Sequence, residues 1–263
     1  MPKKILVESA HSFGDILFNL PLIKSISSHY GIKVDVAIRK QYADALQNIE
    51  FINKIVIIDN LNDGSTKATQ LGYDVYHQIT QNIKFVEYND KYADHSLIDT
   101  PLYVGRELGL NDFDQRPIFI PSKNELDVYR DFNDAPTIAI ESVYNSLQSW
   151  TKSEHIESII NNYKNTHRIL WLSHSKAPNG TVDLSKYTRR EVIMLMRLAD
   201  KFYSVGSGFF CASLALRHEY QPRMIIAMWV DTYYKYEYRI NALKWHNNLV
   251  WVHNNDELQK TFS

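Results

Sequence analysis

Along the first half of the chain, short apolar runs alternate with stretches of helical period. Residues 4–7 form an apolar run, broken by Ser9-Ala10-His11-Ser12-Phe13-Gly14-Asp15. Ile16, Leu17, Leu20, Ile23 and Ile26 then recur near helical spacing, predicting a helix over 16–29. Residues 34–38 read as a strand, 42–48 as a short helix, 54–59 as a strand, 60–72 as a polar loop and 73–79 as a fourth strand. The pattern weakens beyond Thr80 until a helix at 97–108.

Residues 117–136 read as a connection, after which the alternation restarts. Strands are expected at 137–141, 168–172, 202–205, 224–230 and 249–253, and helices at 153–163, 188–199, 209–217 and from Asp256. Thr188-Arg189-Arg190-Glu191 has the spacing of a capping box. Strands alternating with helices argue for parallel sheets with right-handed crossovers. The pattern divides the chain into two Rossmann-like domains, 1–134 and 135–263, facing a cleft. Ligands of open parallel sheets sit beyond the carboxyl ends of the strands, where the two most informative loops fall.

Composition adds little to this outline. The chain is 44% hydrophobic and 22% charged over 263 residues, a globular balance. Cys211 is the single cysteine, so neither an internal disulfide nor a multi-cysteine zinc site is possible. No apolar run reaches the roughly 20 residues that span a bilayer and no signal segment opens the chain, so the expected location is cytoplasmic. The net charge of −1 hides an asymmetry: 14 Lys and Arg face 19 Asp and Glu through residue 134, and 15 face 11 thereafter. The basic second half favours a phosphate-bearing ligand.

Two loops carry candidate chemistry. In Ser12-Phe13-Gly14-Asp15, Gly14 permits a tight turn and Asp15 lies near a helix N-terminus, whose dipole favours an ionised carboxylate. Two readings of Asp15 stay open, a general base for an acceptor hydroxyl and an N-cap. In Val205-Gly206-Ser207-Gly208-Phe209-Phe210, small residues opening a helix leave N–H groups for an anion, with Ser207 adding a hydroxyl. The alternative is an ordinary strand-to-helix turn. It is neither a Walker loop nor the three-glycine dinucleotide fingerprint, which places a Rossmann oxidoreductase last.

Residues at both ends carry a resemblance. Lys4-Ile5-Leu6-Val7, Gly14-Asp15-Ile16-Leu17 and Leu20-Pro21-Leu22 resemble the opening of the heptosyltransferase family of bacterial lipopolysaccharide synthesis, with its strand, Gly-Asp pair and helical Leu-Pro or Thr-Pro step. Asp183-Leu184-Ser185, Glu191, Leu195, Ala199-Asp200, Val205-Gly206-Ser207-Gly208 and Ala212-Ser213-Leu214-Ala215-Leu216 resemble its second signature. There a helix is followed by a strand, a small turn and an alanine-rich helix. Trp150 falls where the family has a Trp between its fifth strand and the next helix.

The resemblance implies an α/β fold of the GT-B class and an inverting, metal-independent transfer from a nucleotide-diphosphate sugar, with no other cofactor. By matched position, Asp15 would be the general base, in an acceptor-side loop with His11, Ser12 and Gly14. Ser207, Gly208 and Phe209 would hold the donor phosphates. This chain has Gly206 where the family usually has Asp, Phe210 where it has His, and Gln148 near the place of a phosphate-contacting Lys. These departures leave the sugar and base of the donor open.

The implied partners are a nucleotide-sugar donor and a glycan or glycolipid acceptor. DNA is an alternative acceptor, as in phage enzymes that glycosylate modified bases, although near-neutral charge counts against it. A third reading is a non-catalytic nucleotide-sugar binding protein. Asp112-Phe113-Asp114 reads as a solvated turn rather than a metal pair, Cys211 as buried packing, and Lys186, Arg189 and Arg190 as a solvated face. The stretch Tyr233-Tyr234-Lys235-Tyr236-Glu237-Tyr238-Arg239 reads as half-buried packing at the domain seam, or as a surface for stacking sugars or bases.

Overall fold

A computed structural model of the chain describes residues 2–9, 12–60, 63–79, 105–110, 113–132, 134–141, 151–172, 176–206, 208–228 and 245–262. The chain divides into two compact units, Met1–Ile120 and Pro121–Ser263. In the first, strands β1 (Ile5–Glu8), β2 (Val34–Arg39), β3 (Ile52–Ile58) and β4 (Val75–Gln78) form a parallel sheet in the order β3-β2-β1-β4. β1 and β2 are nearly all buried, as the apolar runs of parallel strands require when both faces are covered.

Helix α1 (Phe13–Tyr30) is longer at both ends than its apolar period indicates, because its caps are polar. Ser12 caps its start, and Gly31 ends it at a φ of 66°, donating to the Ser27 and Ser28 carbonyls. Pro21 lies inside the helix and has no N–H for the Leu17 carbonyl. The Ile118 N–H donates to that carbonyl instead, at 3.2 Å, so the end of the first unit is sewn to its first helix.

Several expectations change. The loop expected over 60–72 contains helix α2 (Asp63–Gln70), which buries only Gly64 and Ala68 and so leaves no apolar period. The short helix expected at 42–48 is a 3-10 turn, Lys40–Leu46. Most of the helix expected over 97–108 lies outside the described residues. The connection expected over 117–136 contains helix α3 (Lys123–Asp127) and a 3-10 turn, Val128–Asp131. Both belong to the second unit, so the division at Ile120 precedes the expected one at residue 134.

The second unit holds β5 (Thr137–Glu141), α4 (Ser153–Tyr163), β6 (Arg168–Leu172), α5 (Arg189–Leu195), β7 (Lys201–Ser204), α6 (Gly208–Ala215), β8 (Ile225–Ala227), β9 (Leu249–Trp251) and α7 (Asn255–Lys260). Its parallel sheet runs β6-β5-β7-β8-β9. Ile138, Ile140, Ile159, Tyr203 and Ile226 centre the core. α3 is fastened to α5 by a bidentate pair: Arg190 Nε lies 2.6 Å from Glu125 Oε1 and Nη2 3.0 Å from Oε2. Arg190 is 2% exposed, so it anchors the unit rather than lying on a solvated face.

Candidate active site

β1 ends on the first site loop. Ser12 takes extended φ/ψ as the N-cap of α1, and Asp15 stands three residues later with its carboxylate reaching back. Asp15 Oδ2 accepts from the Ser12 N–H at 3.2 Å and from the Ser12 hydroxyl at 2.7 Å. Both bonds use one oxygen, and Oδ1 has no hydrogen-bond partner among the described residues. Asp15 is therefore not the N-cap itself but the reciprocal member of a capping box. Gly14 is buried within the first turn of α1 and does not take positive φ, so it is an ordinary helical residue rather than the tight turn expected there. A buried bond from Asn19 Nδ2 to Ser9 Oγ, 2.9 Å, ties the loop's start to the helix.

Behind this loop lies Glu8, the last residue of β1 and fully buried. Tyr76 donates its hydroxyl to Glu8 Oε2 at 2.5 Å. Burial first, and then this bond, pushes the tyrosine hydroxyl well above its ordinary value, so it stays a donor. Gly64, at the start of α2, packs so closely that a Cβ there would run into Glu8 Oε2.

The second unit repeats this device. β5 ends on Glu141, 2% exposed. Its Oε2 accepts from Ser204 Oγ at 2.8 Å and from the Val205 N–H at 3.0 Å. In both sheets the glutamate ends the strand at which the order reverses, between β1 and β4 and between β5 and β7, the switch point where open α/β sheets bind ligands. Neither glutamate figured among the sequence candidates. The signal was present, since Ile5-Leu6-Val7-Glu8 and Ile138-Ala139-Ile140-Glu141 each close an apolar run with one acid.

The turn after β7 holds Gly206 at a φ of 82°, a conformation glycine takes without steric cost. α6 then starts at Gly208. Phe209 lines a pocket of about 480 Å³ with Trp171, Lys176, Asp183, Ser185, Tyr187 and Arg189. Lys176 follows the carboxyl end of β6, and Phe209 that of β7. Aromatic walls and two cations suit a ligand that joins a planar ring to an anion. Phe210, one position further round the helix, is fully buried with its ring 6.2 Å from Trp251, so it packs in the core. Lys186 sits over the Tyr187 ring at 4.8 Å.

His11, Gln148, Trp150, Ser207 and residues 233–239 lie outside the described residues. Cys211 is half-buried in α6 rather than enclosed. Asp114 accepts from the Arg116 N–H at 3.0 Å, a local turn. Among the described residues no group of three or more His, Cys, Asp or Glu gathers where it could hold a metal, and no helix is long and apolar enough to cross a membrane.

No protein-family model matches the chain, and no curated protein matches its sequence. Solved structures do match. The Escherichia coli ADP-heptose lipopolysaccharide heptosyltransferase II superposes with a TM-score of 0.67 at 12% identity, over 98% of this chain and 96% of that one. The chain has the GT-B fold. A family 9 glycosyltransferase from Veillonella parvula agrees, with a TM-score of 0.65 at 9% identity over 98% and 91% of the two chains. So does the E. coli heptosyltransferase WaaC with ADP, at 0.54 and 15% over 85% and 86%. In GT-B terms, both site loops described above follow the carboxyl end of a strand in their own sheet.

Proposed function

We propose that the chain is an inverting glycosyltransferase that moves a sugar from a nucleotide-diphosphate donor to an acceptor hydroxyl of a glycan or glycolipid. The observation that carries this reading is the second unit's pocket, where Phe209 and Trp171 meet Lys176 and Arg189. The nucleoside lies against the aromatic walls, and the cations with the start of α6 at Gly208 meet the diphosphate. The second unit is the donor side and the first the acceptor side.

Asp15 is the general base. Its Oδ2 is fixed by Ser12, while Oδ1, without a hydrogen-bond partner among the described residues, accepts the proton. The acceptor oxygen attacks the anomeric carbon, its proton passes to Asp15, and the bond to the diphosphate breaks with the electron pair leaving on the phosphate oxygen. Inversion follows from this single displacement. The reaction draws on no metal, because Lys176, Arg189 and backbone amides supply the positive charge that the leaving group needs.

The test is transfer from a panel of nucleotide sugars in the presence of EDTA, with Asp15→Asn beside the unmodified chain. Transfer that persists in EDTA and is lost in Asp15→Asn supports the reading. Donor binding without turnover on any glycan or glycolipid acceptor would leave a nucleotide-sugar binding protein in its place.

A further inference from the structure

The donor turn is braced from beneath by a buried acid. Glu141 Oε2 accepts both from Ser204 Oγ, 2.8 Å, and from the Val205 N–H, 3.0 Å. Ser204 Oγ in turn accepts from the Gly206 N–H at 3.2 Å. One carboxylate oxygen thus reaches two consecutive amides of the turn, the first directly and the second through a hydroxyl. Ser204 is fully buried and Glu141 is 2% exposed, so water competes little for these bonds.

We infer that Glu141, acting through Ser204, is a positioning residue for the donor phosphates. The inference rests on the donor reading above. Gly206 is held at a φ of 82°, one of several conformations open to glycine, and Glu141 with Ser204 selects it before any ligand arrives. The Val205 and Gly206 amides are already occupied by protein acceptors, so an incoming diphosphate is met by groups beyond Gly206. α6 opens at Gly208, two residues on, and its first backbone amides meet the phosphates. A turn ordered in advance removes an ordering cost from binding. That gain belongs to the phosphate end of the ligand and not to the nucleoside end.

The experiment titrates Ser204→Ala and Glu141→Gln, beside the unmodified chain, with the nucleoside diphosphate it binds best and with the parent nucleoside. Ser204→Ala removes the relay to Gly206 with one hydroxyl, and Glu141→Gln keeps the shape while putting an amide in place of the carboxyl. The expected result is affinity for the diphosphate weakened about tenfold, the size of one to two buried hydrogen bonds, with nucleoside affinity changed less than about twofold. Equal weakening of both ligands, or of neither, overturns the inference. If Glu141→Gln does not fold, Ser204→Ala decides, and failure of both to fold assigns the pair to stability alone and overturns it. An unmodified chain that binds no nucleoside diphosphate brings down the donor reading, and this inference with it.

Discussion

Asp15 is a capping-box partner in the structure and a base in the proposed reaction, and the two roles make separable demands. As the capping-box partner it needs only an acceptor for the Ser12 N–H and hydroxyl, which an asparagine oxygen also supplies. As a base it must take a proton, which an amide does not. Asp15→Asn should therefore lower transfer by about 10²–10⁴-fold with little change in thermal midpoint. Asp15→Ala should lose transfer and also about 0.5–2 kcal/mol of stability, measured by urea unfolding. Equal stability loss in both variants with transfer retained would leave only the cap. The choice between cap and base was open in the sequence because both place an Asp near a helix start, and only coordinates show that the Ser12 bonds fall on one oxygen, Oδ2.

Arg190 shows the reverse case, a residue whose sequence context misleads. Beside Arg189 and Lys186 it reads as a solvated cation, yet its partner Glu125 is 65 residues away on α3. Nothing local signals that pairing. Removing one member of a buried ion pair strands the other, so Arg190→Ala should cost roughly 3–5 kcal/mol. Burial by itself would raise the Glu125 carboxyl, but the bonds from Arg190 and Ser122 outweigh it and hold the group below its ordinary value. A carboxyl depressed in the folded state adds stability above its unfolded value, and that stability is lost as pH falls through the folded one. Urea midpoints compared at about pH 6 and about pH 3.5 should therefore drop further in the unmodified chain than in Glu125→Gln.

At the scale of elements, strands and long helices were legible where apolar period and burial coincide. α4 and β6 fall at their expected bounds, because α4 buries Ile156, Ile159, Ile160 and Tyr163 on one face and β6 is buried from Ile169 to Leu172. α2 and α3 were not legible. Polar residues fill most of α2, and α3 has five residues held by the Ser122–Glu125 capping box. α2 nevertheless packs closely, with Gly64 against Glu8 and Tyr76. Gly64→Ala should destabilise the chain by about 1–3 kcal/mol through overpacking, read from urea unfolding. Unchanged stability would mean that α2 does not rest on the Glu8 carboxylate.

For the whole molecule, the two-domain plan could be read from the restart of the strand–helix alternation near residue 137, but not the point of division. Residues 123–131 carry little apolar signal and join the second unit through long-range polar contacts, the Glu125–Arg190 pair, Tyr187 on Asp131 and Arg197 over the Tyr129 ring. The pocket proposed for the donor was half legible. Phe209 was in the expected turn, whereas Trp171, Lys176 and Tyr187 come from β6 and the segment after it, which sequence spacing alone does not bring together. The central claim, a nucleotide-diphosphate donor held by the second unit, is tested most directly by a thermal-shift panel with ADP, UDP, GDP, CDP and dTDP, run beside an Arg189→Ala, Lys176→Ala double variant. A ligand at about 100 times its dissociation constant adds roughly 2.7 kcal/mol, enough to raise the midpoint visibly. The account predicts a shift with one diphosphate that the double variant loses. No shift with any of the five, or a shift that the double variant keeps in full, would contradict it.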